Sequence, residues 1–473
     1  MAIKKITVIY YLIVLEICLG LLFFVNDYRD VYTTLMSVVV CVSYIVSLIL
    51  IAKQVGIISI QGFFMICLGI FAYGRIFVSL FSKNNFTEAS YSIVGVFKWE
   101  NSTIAMVLCS YLLFMAIFTL STIFAKTRYN QKKIYERYIS NSNLKGLKPL
   151  AYSLFWLSTP VTIVYFSMTA LLIKNAGYTS FYTGGTNGLG RLGTIFSIFR
   201  LLFDVSFYLL ICCERVQTKF DRNAVLYLGV NAIPLIQGSR ANFIVVFLTI
   251  IFLRYVLFGA KIHFKWLISM LILGIPFLEM ISIIRNGGSF SITNIGESYK
   301  NFFWELSASL NVPAYYLQYK SSLSDNLYPY IVEPLVRIIQ VFSHPSVYNG
   351  GQSVDMIKIR FNLGHQITYF ISPNYYLAGS NVASNFIGEM LEFGYGGVVV
   401  FSIILSKLIN YISDKMCQKD FYLFMCCLIC NWIFMLPRGE TFMDTYTIFK
   451  FGIIFLGFKC IANIFYNTKK RAK

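Results

Sequence analysis

The sequence predicts an all-α polytopic integral membrane protein, and three observations predict it. Of 473 residues, 57% are hydrophobic and 13% charged, about half the charged share of an ordinary soluble domain. Apolar runs near the length an α-helix needs to cross a bilayer recur along the chain. Lys and Arg concentrate in alternate connections, so the net charge of +19 reads as topology rather than as a nucleic-acid surface. A soluble globule could not bury this much apolar surface. Lipid is the expected solvent and no nucleic-acid partner is expected.

The run at 6–25 follows Lys4 and Lys5 and imitates a signal peptide. It is too long for a signal's apolar region and no small-residue cleavage site follows, so it reads as a retained first helix. Runs at 32–52, 57–81, 104–125, 151–174 and 194–213 read as the next five spans. Those at 224–237, 241–259, 266–284, 393–412, 421–437 and 444–466 bring the expected number to about twelve, with 224–237 short enough to be re-entrant. If the N-terminus is cytoplasmic, the inner connections hold 21 Lys and Arg and the short outer ones 6, a positive-inside bias. Both termini are then cytoplasmic, and membrane lipids surround the excess positive charge. Three regions follow: a bundle of nine helices over 1–284, a large extracytoplasmic loop over 285–392, and three last helices with a basic tail over 393–473. The loop is too aromatic for disorder and is expected to form short helices. Eleven Cys show neither metal-ligand spacing nor a disulfide framework.

Four arginines fall at or near outer boundaries with glycine close by: Arg191 in YTGGTNGLGRLG, Arg240 in IQGSRANF, Arg285 in IIRNGGSF and Arg438 in LPRGET. A guanidinium binds phosphate through a fork of N–H donors, and glycine lets the backbone approach a ligand. Headgroup binding or helix-end snorkelling is the alternative. Glu389 and Glu392, three apart at the mouth of the tenth expected span, share a helical face. Glu389 is a candidate base or hydroxyl-orienting group, or an acid at a helix N-terminus. His365, in RFNLGHQITYF, is a candidate general base on the outer side, with a structural role left open. Arg200 and Asp204 lie four apart in the sixth span and can pair, as a structural ion pair or an ion site. Glu16 and Glu279 are expected to face the bundle interior, and Arg75 to lie near the basic cluster. No phosphate-binding loop, dinucleotide glycine pattern or zinc spacing occurs, so no metal and no cofactor is expected. An outer-face transferase would need a substrate carrying its own activation.

The segments IQGSRANFIVVF, SNFIGEMLEFGYGGVVVF and LPRGET, on a twelve-span plan with one long outer loop, resemble the Wzy-type O-antigen polymerases, the oligosaccharide repeat-unit polymerases. Residues 285 to 296 also fit an Arg-x10-Gly pattern of some members. The resemblance implies a glycosyltransferase of the bacterial cytoplasmic (inner) membrane, working on its outer face. It implies transfer of a growing glycan from undecaprenyl diphosphate to the non-reducing end of a new lipid-linked repeat unit, so donor and acceptor are both undecaprenyl-diphosphate-linked. A chain-length regulator protein stays open as a partner. By motif, Arg240 and Arg438 join the substrate-binding set and Glu389 the helix mouth. His365 matches by location a histidine base of the related O-antigen ligases. Arg191 and Arg285 extend the diphosphate set, and Tyr315, Tyr316, Tyr375 and Tyr376 are expected to stack on sugars. Two readings compete: an O-antigen ligase or other polyprenyl-phosphate-dependent glycosyltransferase, and a lipid-linked oligosaccharide flippase.

Overall fold

The computed structural model describes residues 2–24, 30–81, 88–91, 95–125, 136, 147–176, 190–259, 264–285, 295–323, 327–349, 352–379, 382, 384–416, 418–442 and 445–471. Their regular structure is helical apart from one short antiparallel pair, Glu88–Tyr91 with Gly95–Lys98. Among the described residues, 9 helices are long and apolar enough to cross a membrane, and two more hold the shorter apolar stretches Ile6–Ile17 and Ile272–Ile283. The protein is a multi-pass α-helical membrane protein. The expected seventh span differs. Residues 224–237 belong to helix Gln217–Ala232, the turn Ile233–Leu235 and the two residues after it. At 16 residues the helix reaches about 24 Å, short of the roughly 30 Å hydrocarbon layer. It also carries Lys219, Asp221, Arg222, Asn223 and Asn231.

The chain divides into two compact units. The first comprises Met1–Tyr129, Lys300–Ser413 and Ile433–Met443. Helix Asn101–Phe124 lies at its core against Ala2–Phe24 and Asp30–Gln54. It is apolar on all sides and buried on nearly all, including Leu108, Leu112, Phe114 and Phe118, as expected of a helix enclosed by others. Ser59 caps Ile60–Leu68 by accepting from the Gly62 N–H at 3.0 Å. A π-helical turn, Gly69–Tyr73, follows. Glycine is required at 69, because a side chain there would overlap the Tyr44 hydroxyl, which donates to the Met65 carbonyl at 2.9 Å. Apolar faces gain nothing by meeting each other rather than lipid, so polar pairs contribute between helices. Gln61 Nε2 donates to Asn410 Oδ1 at 2.7 Å, and Thr122 meets Ser406 at 3.1 Å.

Two sequence expectations change here. Glu16 is exposed, because the buried stripe of its helix runs through Thr7, Tyr11 and Val14 and leaves position 16 off it. Arg75 is buried under the Trp304 ring, 4.1 Å from its centroid, a cation–π seat. Between Ile295 and Met390 the chain folds into short helices, among them Ile295–Leu306, Asn311–Tyr319, Glu333–Ser343, Leu363–Ile371 and Phe386–Met390.

The second unit comprises Asn130–Tyr299, Asp414–Trp432 and Asp444–Lys473. Its main contact joins Leu147–Ala176 to Gly190–Cys213, with Thr445–Arg471 against both. Phe155 stacks on Phe203 at 5.3 Å, and Tyr227 stacks on Phe207 at 3.8 Å. Glu214, fully buried, gathers Lys148, the Tyr152 hydroxyl at 2.8 Å and the Val216 N–H at 3.1 Å.

Candidate active site

One turn organises the polar interior of the first unit. Helix Asp420–Met435 ends in the 3-10 turn Leu436–Arg438, where Pro437 cannot continue the α-helical ladder. The Pro437 carbonyl accepts from Ser309 Oγ at 3.2 Å. Arg438 Nη1 donates to the Leu306 carbonyl at 3.0 Å, placing a cation on the C-terminal carbonyl of Ile295–Leu306. Three residues on, the Thr441 N–H and hydroxyl donate to Glu389 Oε2 at 2.8 and 2.6 Å. Glu389 Oε1 accepts from Ser384 Oγ at 2.9 Å. Glu389 is buried on Phe386–Met390, a helix capped by Asn385, whose Nδ2 in turn donates to the Tyr111 hydroxyl at 2.7 Å.

Glu440 stands between these ties and faces two guanidiniums. Arg360 Nη2 lies 3.5 Å from Glu440 Oε1, and Arg337 Nη1 lies 4.0 Å from Oε2. Arg360 is held tightly elsewhere: its Nε donates to Glu333 Oε1 at 2.7 Å and its Nη1 to His365 Nε2 at 3.0 Å. Glu333 opens helix Glu333–Ser343, and Arg337 follows one turn later on the same face. Two buried carboxylates and two guanidiniums thus form a group of zero net charge. Burial, reinforced by the neighbouring Glu333, raises the Glu440 carboxyl above its ordinary range, against the pull of Arg360 and Arg337. For Arg360, burial opposes the charged form, but Glu333 and Glu440 outweigh it and raise its pKa.

His365 completes the group. Asn362 caps its helix, accepting from the His365 N–H at 3.0 Å. A guanidinium only donates, so Nε2 is the unprotonated nitrogen and the proton sits on Nδ1, which meets the Tyr376 hydroxyl at 3.1 Å. Burial and the charges of Arg360 and Arg337 push the imidazole well below the usual histidine value of 6.5, so it is neutral at pH 7.

Arg191, Arg240 and Arg285 belong to the second unit and Arg438 to the first. Arg240 opens helix Arg240–Phe258 after a turn that needs glycine at 238, where φ is +93°. It is buried, and its Nη1 donates to Glu279 Oε2 at 2.7 Å. Arg285 ends helix Phe264–Arg285, and Arg191 lies in the first turn of Gly190–Cys213. The side chains of Arg191 and Arg285 lie outside the described residues. Arg200 Nε meets Asp204 Oδ2 at 3.0 Å, and the Tyr227 hydroxyl donates to Asp204 Oδ1 at 2.8 Å. Glu392 accepts from the Tyr330 N–H at 2.8 Å. Tyr315 packs edge-on against Trp99 at 4.3 Å and Tyr376 against His365, so protein covers these two of the four rings expected to stack on sugar, while Tyr316 and Tyr375 are half-buried.

Sequence reasoning passed over Glu333, Arg337, Arg360 and Glu440. A signal existed: charges set singly among apolar neighbours, in VEPLVRII and KIRF, within a segment too apolar to leave them all in water.

The fold is that of a multi-pass α-helical membrane protein with a buried polar group in its first unit. Residues 6–471 match the family described as O-antigen polysaccharide polymerase Wzy, and the chain belongs to that family. Comparison with curated proteins gives no match, and comparison with solved structures gives none either.

Proposed function

We propose that this protein joins undecaprenyl-diphosphate-linked oligosaccharide repeat units into O-antigen or capsule on the outer face of the cytoplasmic membrane. The single observation that carries the reading is the family match across residues 6–471. The charge-balanced group around His365 supplies chemistry consistent with it. The positive-inside bias supports cytoplasmic termini and an extracytoplasmic segment at 285–392.

In the reaction an acceptor sugar hydroxyl attacks the anomeric carbon of the donor glycan. The bond from that carbon to the diphosphate oxygen breaks, and undecaprenyl diphosphate leaves with the electron pair. Arginine guanidiniums hold the diphosphate and stabilise its growing charge, the candidates being Arg191, Arg240 and Arg285 of the second unit and Arg438 of the first. Glu279 orients Arg240. The acceptor proton goes to His365 or Glu389. His365 is neutral with a lone pair on Nε2, the nitrogen that faces Arg360.

The test is a deletion strain complemented with variants, with glycan resolved by length. Wild type restores a ladder of repeats. Arg240→Ala and Arg240→Lys give a single repeat while protein still reaches the membrane; normal chain lengths in both would remove Arg240 from the site. His365→Gln and Glu389→Gln identify the base, since the variant that abolishes long chains while staying folded carries it. If deletion removes all surface-linked glycan while lipid-linked polymer accumulates, the ligase reading replaces this one. Labelling of single cysteines within 285–392 from the cytoplasm only would overturn the orientation.

A further inference from the structure

We propose that helix Glu333–Ser343 lies in the membrane interface, with Leu335, Ile339 and Phe342 seated among the acyl chains of the lipid leaflet on its side and its charged face turned to the protein. The inference needs a chain that spans a membrane and stands apart from the polymerase reading.

The helix reverses the order that water imposes. At about 100° per residue, Glu333, Arg337 and Gln340 share one side, and Leu335, Ile339 and Phe342 share the opposite one. The polar side is the inward one. Glu333 takes the Arg360 Nε–H at 2.7 Å, and Arg337 faces Glu440 at 4.0 Å. Gln340 Nε2 donates to the Ile359 carbonyl at 3.0 Å, and its Oε1 accepts from the Tyr348 hydroxyl at 2.7 Å. The apolar side is the outward one: Leu335, Ile339 and Phe342 are 44, 70 and 76% exposed, against 0% for Glu333. A helix packed on a protein in water buries its apolar side instead. Three large apolar side chains turned outward on one face call for an apolar surround.

Two ties set the helix at the depth of the bilayer surface. Just before it, the Tyr330 N–H donates to Glu392 Oε2 at 2.8 Å. Glu392 lies two residues before helix Gly394–Lys415, whose 22 residues reach about 33 Å, enough to cross the hydrocarbon layer. One turn into Glu333–Ser343, Arg337 meets Glu440, two residues past the apolar stretch Asp420–Arg438. These two spans are consecutive, so Glu392 and Glu440 come out on one side of the membrane. A helix tied to two span ends lies at headgroup level, where an apolar face enters the leaflet by about 5–10 Å. Apolar exposure continues around the ties: Leu327 is 86% exposed, Phe393 51% and Tyr395 40%. Past the helix, Ser343 Oγ and His344 Nδ1 form an exposed polar pair at 2.8 Å. Lipid is therefore the occupant that fits, since the surround that covers the exposed Val400 and Ile404 on the span extends to this face. The polar side carries the contacts to Arg360 and Glu440, so lipid seating keeps the charged group around His365 at the membrane boundary.

The experiment uses the full chain in phosphatidylcholine nanodiscs and compares Ile339→Trp and Phe342→Trp with Asp355→Trp, a control on Val354–Ile359 whose side chain is 74% exposed. Tryptophan emission above that of wild type is read against phosphatidylcholine brominated near its headgroup end, the same lipid brominated near its chain terminus, and dissolved iodide. At 339 and 342 the shallow bromines should quench the added emission about twofold or more, with the deep bromines and iodide weaker. At 355 iodide should quench and the bromines should not. Iodide quenching at 339 and 342 equal to that at 355, with the bromines without effect, puts the face in water and overturns the inference. Shielding from every quencher means that a second copy of the chain covers the face, which overturns it too. Stronger quenching by the deep bromines sets the helix at span depth and also overturns it. If either variant falls short of the wild-type thermal midpoint, Leu335→Trp takes its place under the same criteria. The glycan ladder tests the polymerase reading separately, so the two failures are distinguishable.

Discussion

The pair Arg360–Glu333 gives a quantitative test of the buried charge group. Glu333 is 0% exposed at its side chain and Arg360 11%, with 2.7 Å between Nε and Oε1. At that separation and an effective dielectric of about 20, attraction amounts to about 6 kcal/mol. Desolvating two ions costs several kcal/mol each, so the intact pair is close to break-even. Removing one member exposes the penalty of the other. Arg360→Met should therefore destabilise by about 3–5 kcal/mol, measured by chemical denaturation of the full chain in nanodiscs. Glu333→Leu combined with Arg360→Met removes both charges and should recover most of that loss. The Arg337–Glu440 pair remains balanced in the double variant, which is why recovery is expected. If Arg360→Met costs less than about 1 kcal/mol, or the double variant is no more stable than the single, the charge group is not what orders this region.

Three further outcomes follow from the geometry. Because the folded His365 pKa lies below the ordinary 6.5, its neutral state stabilises fully above that value, and the contribution is lost as pH falls through the folded value; pH-dependent denaturation should show acid lability that His365→Gln reduces. Gly364→Ala would place a Cβ 2.6 Å from the Val382 carbonyl oxygen, so that backbone must shift; a loss of about 1–3 kcal/mol is expected by denaturation, and a neutral effect would refute the packing. Arg438→Ala removes the donor on the Leu306 carbonyl and should cost about 1–3 kcal/mol, with Arg438→Lys intermediate, measured the same way.

The membrane architecture was legible because lipid imposes a length and composition on each span that a linear reading detects. Helix Gln217–Ala232 was only partly legible: its apolar half starts at Ala224, which made 224–237 short enough to be re-entrant, but hydropathy does not register that the helix begins seven residues earlier in charged sequence. The polar group was half legible. His365, Glu389 and Arg438 stood out by type and position, but Arg360 and Glu440 sat inside quoted segments without drawing notice. Their importance comes from partners 27 and 80 positions away in the chain, Glu333 for the one and Arg360 for the other. Local spacing carries no trace of such pairing, whereas Arg200 and Asp204, one helical turn apart, could be matched by counting.

Dissolved ions weaken a charge pair only where they can reach it, and the screening distance is about 8 Å in physiological saline. The exposed Lys358–Asp355 contact, at 3.8 Å with both side chains more than 70% exposed, should fade in brine. The Glu333–Arg360 link lies beyond the reach of salt. The internal frame thus holds across ionic strengths that loosen the exposed contact.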